Sequence, residues 1–520
     1  MNGAGSVVVA LAQATGLMMS ATFIVYVLII AVPYARRRPQ SRGDARTLGW
    51  HLFVPALNEE KVIGQTVDYL RRTLPEAHVW VIDDASEDQT GAIVASRAWR
   101  DPMVHVVSRR FPEARTGKGH ALNAAYWQLR AWLPAAEASN NGQRGNWPGN
   151  NGYPGNGQPV NWPGSNGQPG NWHPGRMRRD NLIIGVIDAD GRPAPDCLDV
   201  CAGPGLFGDP GVGSVQIEVR MINRDDPRPY LHRGRLVNFL ARLLIRMQDM
   251  EFRTPIAAIQ TTRHYTGTVG LGGNGQFTRL GTLDTLADAE GGPWRGTLLE
   301  DYELSLHLTL TGHRTEFTKD TYVDQEALPD LRRFVRQRTR WGQGTMQCGV
   351  YLRQLWRSPY VSVLGALEAT YYLLQPWMQI VGTIVYPIPI ALFVTHWLGQ
   401  PGTMGGWFLG GGWMIVVLYL IGGAGPFVLW GPMYRRKCER HIGLVQSVGL
   451  GFAYSLYVFV FYITSWRAFA RIVRRRNEWF KTRRNAEFQA EAGRPGREDL
   501  AAPQPVTTAA GGSMVKIPAA

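Results

Sequence analysis

Between Val7 and Val32 the chain carries no charged side chain, and Arg36, Arg37 and Arg38 follow at once. A bilayer core is crossed by roughly 20 consecutive apolar residues, so residues 1–35 are expected to form a membrane helix. No Lys or Arg precedes the run, unlike the basic start of a signal peptide. The positive-inside rule then directs the amino terminus outward and the chain beyond Arg36 into the cytoplasm. No second run of this kind occurs before Val361. Beyond it, Val363 to Leu398 holds one acidic residue, Glu368, while Trp407 to Trp430 and Leu444 to Trp466 hold none. Trp377, Trp397, Trp407, Trp430 and Trp466 stand near segment ends, where interfacial aromatics belong. The basic groups Arg435-Arg436-Lys437 and Arg471 to Arg484 both favour the cytoplasmic side, which three single spans cannot satisfy. Pro376, Pro387 and Pro389 would break Val363 to Leu398 into two short spans, giving four or five membrane segments in all. The expected layout is an interfacial helix at 346–360, transmembrane helices at 361–470, and a basic cytoplasmic segment with a disordered tail at 471–520.

Whole-chain averages conceal this division. Of 520 residues, 45% are hydrophobic and 18% charged, and the mean hydropathy of −0.17 resembles that of a soluble protein. Lys and Arg outnumber Asp and Glu by 55 to 41, a net charge of +14. The clusters at Arg36 to Arg38, Arg435 to Lys437 and Arg471 to Arg484 lie beside apolar runs, where positive charge fixes orientation, so the excess does not argue for nucleic acid. Four cysteines, Cys197, Cys201, Cys348 and Cys438, are too few for a disulfide framework and lack the second pair of a zinc site. They read as packing residues.

Residues 45–345 read as a cytoplasmic domain. Strands are expected at His51–Val54, His78–Ile82, Val104–Val107 and Leu182–Ile187, and helices at Lys61–Arg72, Gln89–Arg97 and Ala121–Leu133. Such alternation points to an α/β, Rossmann-like domain with a largely parallel sheet, joined here to an α-helical transmembrane region. Residues 136–179 interrupt the pattern. Asn146-Trp-Pro-Gly149 recurs as Asn161-Trp-Pro-Gly164 in an Asn/Gly/Pro-rich stretch, which reads as a disordered insertion.

Ligands in open α/β sheets bind at the carboxyl ends of strands, and the acidic residues fall there. The first strand runs into Pro55-Ala-Leu-Asn58-Glu59-Glu60, the second into Asp83-Asp84, and the fourth into Asp188-Ala189-Asp190. Three carboxylate-bearing strand ends on one edge repel unless a cation or ligand donors sit among them. An Asp-x-Asp suits Mg²⁺ or Mn²⁺, which accept a few carboxylates and keep positions for phosphate oxygens. Each element alone also fits a solvated turn or a helix cap; their order along successive strands is the informative part. Gly117-Lys118-Gly119 adds a cation and a close-approaching backbone, and Gly272-Gly273-Asn274-Gly275 a second glycine turn. Glu300-Asp301 opens a helix-like stretch in which Asp301 could serve as a cap. Gln337-Arg338-Thr339-Arg340-Trp341 stands before the membrane part.

In this order the motifs resemble those of the membrane-embedded, processive members of glycosyltransferase family 2, relatives of the bacterial cellulose, hyaluronan, chitin and poly-N-acetylglucosamine synthases. The resemblance implies a GT-A fold and inverting transfer from a nucleotide sugar, with a UDP-sugar expected, to a growing β-linked polysaccharide coupled to export. It implies Asp301 as general base, which a poorly nucleophilic hydroxyl needs, and Glu300 beside the acceptor. Asp190, assisted by Asp188, would hold the Mg²⁺ or Mn²⁺ that neutralises the leaving diphosphate. Asp83 or Asp84 would bind the donor's nucleoside and Lys118 its polar edge, with Pro55, Glu59 and Asp188 also on the donor side, and Gln337 and Arg340 would hold the diphosphate or the acceptor. Trp341 would offer a platform for the acceptor sugar. His120 and the 136–179 insertion depart from the family pattern without removing a motif residue. The competing enzymatic reading is single addition to a lipid-linked acceptor. Expected partners are the nucleotide sugar, the glycan or lipid acceptor, membrane lipid and an export subunit, and the expected location is the plasma membrane, multi-pass.

Overall fold

Gly49 to Ala56 is buried along nearly its whole length and forms the centre of a sheet, which is what a strand covered on both faces requires. The computed structural model describes residues 3–140, 179–287, 291–385, 423–476 and 485, with scattered positions between 387 and 413. Eight strands, β1 Gly49–Ala56, β2 Ala77–Asp84, β3 Val104–Arg109, β4 Leu182–Val186, β5 Arg192–Pro193, β6 Val212–Met221, β7 Gln276–Arg279 and β8 Arg314–Gln325, lie in the order β3-β2-β1-β4-β7-β6-β8-β5. The four strands read from the sequence are β1 to β4, all parallel.

The rest of the sheet corrects the largely parallel expectation. β7 runs antiparallel to both β4 and β6, β6 pairs parallel with β8, and β5 pairs antiparallel with β8. The reversal follows from chain direction at the glycine turn: Gly275, at φ 73°, donates its N–H to Val186 O and feeds β7 back along β4. Only glycine adopts that φ freely, and a Cβ there would press within 2.7 Å of Val323.

The helices up to the end of this region are α1 Gly3–Arg36, α2 Ile63–Thr73, α3 Thr90–Arg100, α4 Lys118–Asn140, α5 Cys197–Cys201, α6 Arg235–Glu251, α7 Ala257–Thr266, α8 Leu280–Leu286, α9 Glu300–Leu310 and α10 Leu331–Gln347. On one face Ile63, Val67 and Leu70 of α2 meet Trp50, Leu52 and Val54, with Cys197 and Cys201 in the same cluster. On the other, Leu122, Ala125 and Leu129 of α4 and Leu304 and Leu308 of α9 meet Phe53, Ile184 and Val186. Truncating any of the fully buried leucines, such as Leu52, should cost about 2–5 kcal/mol. Because β1 has β2 on one side and β4 on the other, the strand order reverses there, and a crevice opens at the ends of β1 and β4.

After the sheet come α11 Leu352–Arg357, α12 Val363–Val385, α13 Trp430–Lys437, α14 Leu444–Tyr457 and α15 Phe459–Val473. Among the described residues one helical stretch, Leu444–Val473, is long and apolar enough to cross a membrane. Much of 386–422, and with it the end of the expected Val363–Leu398 segment and most of the expected Trp407–Trp430 segment, lies outside the described residues, as do 141–178 of the expected insertion and nearly all of the tail beyond 476. A cluster of Val27, Ile30 and Tyr34 of α1, Met247 and Met250 of α6, Ala257 and Ala258 of α7, Tyr434 of α13 and Tyr454 and Tyr457 of α14 joins these helices to the sheet domain. Within the 346–360 stretch Val350, Trp356 and Tyr360 are exposed. α6 exposes Leu236, Val237, Phe239 and Leu240, and a π-helical turn, Phe252–Ile256, links it to α7.

Candidate functional site

The ends of β1 and β2 are clasped to each other. Asn58, at φ 52°, donates its N–H to Ser86 Oγ (2.9 Å) and accepts from Glu87 N–H (2.8 Å), and the N–H of the buried Glu59 donates to Thr90 Oγ1 (2.7 Å). Pro55 pairs in register with Ile82. Strand alternation sends Asp83 and Asp84 opposite ways. Asp84 is buried, ion-paired with Arg109 and accepts the Arg115 N–H (3.0 Å). Asp83 is partly exposed and accepts the Ser86 N–H (3.1 Å).

β4 ends one residue before Ile187-Asp188-Ala189-Asp190, and the chain turns back as Gly191 N–H donates to Asp188 O (2.7 Å). Asn274 Oδ1 receives the Asp188 N–H (3.2 Å), and Asp190 Oδ2 receives the Glu326 N–H (3.2 Å) from just beyond β8. Lys118, the first residue of α4, donates Nζ to both Asp188 Oδ1 and Gly273 O at 2.7 Å. A Cβ on Gly273 would stand 2.9 Å from Lys118 Nζ and 3.1 Å from Asp301 Oδ2. Glycine is therefore needed where three chain segments meet, and that approach places Lys118 and Asp301 together.

Asp301 lies inside the first turn of α9, after Glu300, rather than capping it; Leu299 precedes the helix without a side-chain cap bond. Its Oδ1 accepts the Tyr302 N–H (2.7 Å). Burial pushes the Asp301 carboxyl up to about 7, the neighbouring Glu300 adds to the rise, and Lys118 opposes it. Glu300 is raised by burial against the pull of Lys118 and Arg340. The Lys118 ammonium sits above its usual range: burial disfavours its charge, but Asp188, Glu300 and Asp301 outweigh that cost. A carboxyl titrating near neutral pH is tuned for proton transfer.

α10 brings the last motif. Gly344 lies so close to Leu298 and Leu299 that a Cβ would stand 2.6 Å from Leu299 Cβ, which seats α10 on the segment entering α9. Gln337, Arg340 and Trp341 share a helix face by their i, i+3, i+4 spacing, and all three are partly exposed. Arg338 is buried and forks onto Glu251, Nη1 to Oε1 at 2.8 Å and Nη2 to Oε2 at 2.7 Å.

The structure thus gathers Lys118, Asp188, Glu300 and Asp301 around Gly273, with Arg340 close enough to act on Glu300. Pro55, Glu59 and Asp83 stand at the neighbouring strand ends. Sequence reasoning passed over Glu251 and the Gln325-Glu326 pair; neither carries a motif, and a strand as long as β8 goes unread between better signals. No group of three or more His, Cys, Asp or Glu side chains able to hold a metal occurs among the described residues.

Residues 49–344, more than half of the chain, match the family model described as "Glycosyltransferase like family 2". The chain belongs to that family. This family-2 glycosyltransferase is 28% identical over 316 residues to a β-monoglucosyldiacylglycerol synthase of Synechocystis sp., covering 59% of this chain and 51% of that protein. It is 40% identical over 78 residues to an undecaprenyl-phosphate mannosyltransferase of Micrococcus luteus, 15% of this chain and 31% of that one. The chain spans about half the length of the β-monoglucosyldiacylglycerol synthases it matches. Among solved structures, a mannosyltransferase from Pyrobaculum calidifontis in complex with GDP-Man and Mn²⁺ aligns with a TM-score of 0.48 at 15% identity, covering 87% of this chain and 98% of that one.

Proposed function

We propose that this glycosyltransferase moves a hexose with inversion from a nucleoside diphosphate sugar, in the first place a UDP-sugar, to a hydroxyl group presented at a membrane surface. The supporting observation is the buried Asp301 carboxyl, poised near pH 7 beside Lys118 and Asp188 at one sheet edge. Asp301 takes the acceptor proton as the hydroxyl oxygen attacks the anomeric carbon, and the bond to the diphosphate breaks on the opposite face. Asp190 and Asp188 would hold Mg²⁺ or Mn²⁺, which supplies positive charge for the leaving diphosphate. Lys118 orients Asp188, the partly exposed Asp83 faces the nucleoside, and Asp84 with Arg109 fixes the loop beneath. Pro55 and Glu59 shape the donor side, Gln337 and Arg340 attend the diphosphate, and Glu300 and Trp341 the acceptor. The domain limits 45–345, the multi-pass plasma-membrane location and an export partner belong to this proposal.

A lipid hydroxyl is the first acceptor reading, supported by the names of the β-monoglucosyldiacylglycerol synthase relatives and by apolar helices packed directly against the catalytic part. The second reading is a polysaccharide synthase, favoured by the partly exposed indole of Trp341 on α10. Purified full-length protein given radiolabelled UDP-glucose, UDP-galactose and GDP-mannose, with phosphatidylcholine vesicles containing diacylglycerol, separates them. Organic-soluble product carrying one or two sugars supports the first; a long water-soluble polymer supports the second. Undiminished transfer in both Asp190→Ala and Asp301→Ala would overturn the site assignment.

A further inference from the structure

The motif segment on α10 carries a residue that faces away from the donor side. Arg338 is buried, and its guanidinium makes a two-pronged contact with Glu251 at the end of α6. A third element enters here: Tyr457 of α14, within the apolar Leu444–Val473 stretch, donates its hydroxyl to Glu251 Oε2 at 2.6 Å. The Arg338 Cζ lies over the Trp341 ring, 4.3 Å from its centroid, and over the Phe334 ring at 4.9 Å. Phe252, the first residue of the π-helical turn that follows Glu251, meets the Trp341 ring edge-on, with centroids 6.2 Å apart. One face of the indole is therefore occupied by a cation whose fork is engaged at both prongs, and Phe252 packs against the ring in a T-shaped contact. Trp341 stays partly exposed, on the helix face it shares with Gln337 and Arg340.

Burying an arginine and a carboxylate together costs desolvation that an apolar pair would not. Planar stacking on an aromatic face and a rigid fork are what Arg supplies and Lys does not. We infer that Glu251 and Arg338 are positioning residues that hold the Trp341 indole in the orientation in which it receives the acceptor, with Tyr457 linking that orientation to an apolar helix. The inference rests on the acceptor role proposed for Trp341 and adds the residues through which that role is set.

The test has two readouts. Full-length protein labelled with 5-fluorotryptophan gives a ¹⁹F resonance for Trp341, identified by its loss in Trp341→Phe. That resonance should shift or broaden in Arg338→Lys and in the paired change Glu251→Leu with Arg338→Met, which removes both charges at once and so keeps the interior neutral should the single change fail to fold. Tyr457→Phe should give a smaller shift. An unmoved resonance in the paired variant overturns the inference, whether or not the protein turns over. With labelled UDP-glucose and diacylglycerol vesicles, the paired variant should raise the acceptor KM about tenfold and leave the donor KM within about twofold. Adding Trp341→Ala should change little further, because both act on one element. Additive losses, or equal rises in both KM values, overturn the inference; a wild-type enzyme inactive on every nucleotide sugar counts against the proposed function instead and leaves the ¹⁹F result to decide.

Discussion

If Asp301 is the base, the acid limb of kcat/KM should fall near pH 7 and move when its neighbours are changed. Its carboxyl is raised from 3.8 to about 7, with burial the first cause and Glu300 the second. At pH 6, one unit below, only about a tenth of the sites are ionised, so kcat/KM should be about tenfold lower than on the plateau, and about a hundredfold lower at pH 5. Glu300→Gln removes a like charge, an effect on the order of one unit for adjacent buried carboxyls. The limb should then centre near pH 6, and the ratio of variant to wild-type activity at pH 6 should exceed the ratio at pH 8.5 about fivefold, whatever the absolute loss. Lys118→Met removes the opposing cation and should move the limb upward. Initial rates from pH 5 to 9 at saturating and limiting donor, with buffers of constant ionic strength, measure both. An acid limb below pH 5, or one that stays in place in both variants, refutes Asp301 as the titrating base.

The same shift bears on stability. A carboxyl whose folded pKa is raised favours folding only while protonated, so its ionisation costs stability progressively between pH about 4 and about 7, on the order of 4 kcal/mol in full. Asp301→Asn should therefore be inactive but more resistant to heat than wild type at pH 8, with the difference vanishing near pH 4 in thermal melts. The neighbouring buried imidazoles of His51, His78 and His105 behave in the opposite direction: burial lowers His51 to about 3 and His105 to about 4, and lowers His78 as well. The unfolded chain takes up these protons first, so stability should drop as pH falls below about 6.5, by roughly 2 kcal/mol per histidine at pH 5, and His105→Gln should flatten that slope in melts across pH 5 to 7. Glu368 in α12 pairs with Arg263 (2.8 Å) and Thr268 (3.0 Å); Glu368→Ala leaves the buried guanidinium uncompensated and should cost about 3–5 kcal/mol, read as loss of monodisperse protein in detergent.

The first half of the sheet was legible because each element announces itself over a short window. β1 to β4 are brief apolar runs flanked by helices of period 3.6, and the residues that matter chemically sit where those runs stop. What escaped has a common physical cause. β7 is four residues long, and its direction is set by the left-handed φ of Gly275 rather than by any pattern in its own sequence. β6 and β8 acquire meaning only by pairing with each other, with a register shift between Ile217 and Glu218. At the site, Lys118, Asp188 and Asp301 are separated by 70 and 113 positions and are brought together at Gly273, so the sequence offers four weak signals and the fold turns them into one. The arginine count hides a second role in the same way. Several arginines outside the basic clusters are internal fasteners: Arg109 on Asp84, Arg253 on Asp249 and Glu439, Arg263 on Glu368, and Arg338 on Glu251. Arg253 with Glu439 and Arg263 with Glu368 join the family-2 domain to the helices that follow it, and Arg338 does so through Tyr457, which shares Glu251. The transfer proposed above, to a membrane-held acceptor, requires Asp301, the donor side and the apolar helices to keep one geometry. Removing one partner of such a buried pair costs about 3–5 kcal/mol because the other charge is left uncompensated, so each pairing penalises movement of the two elements it joins.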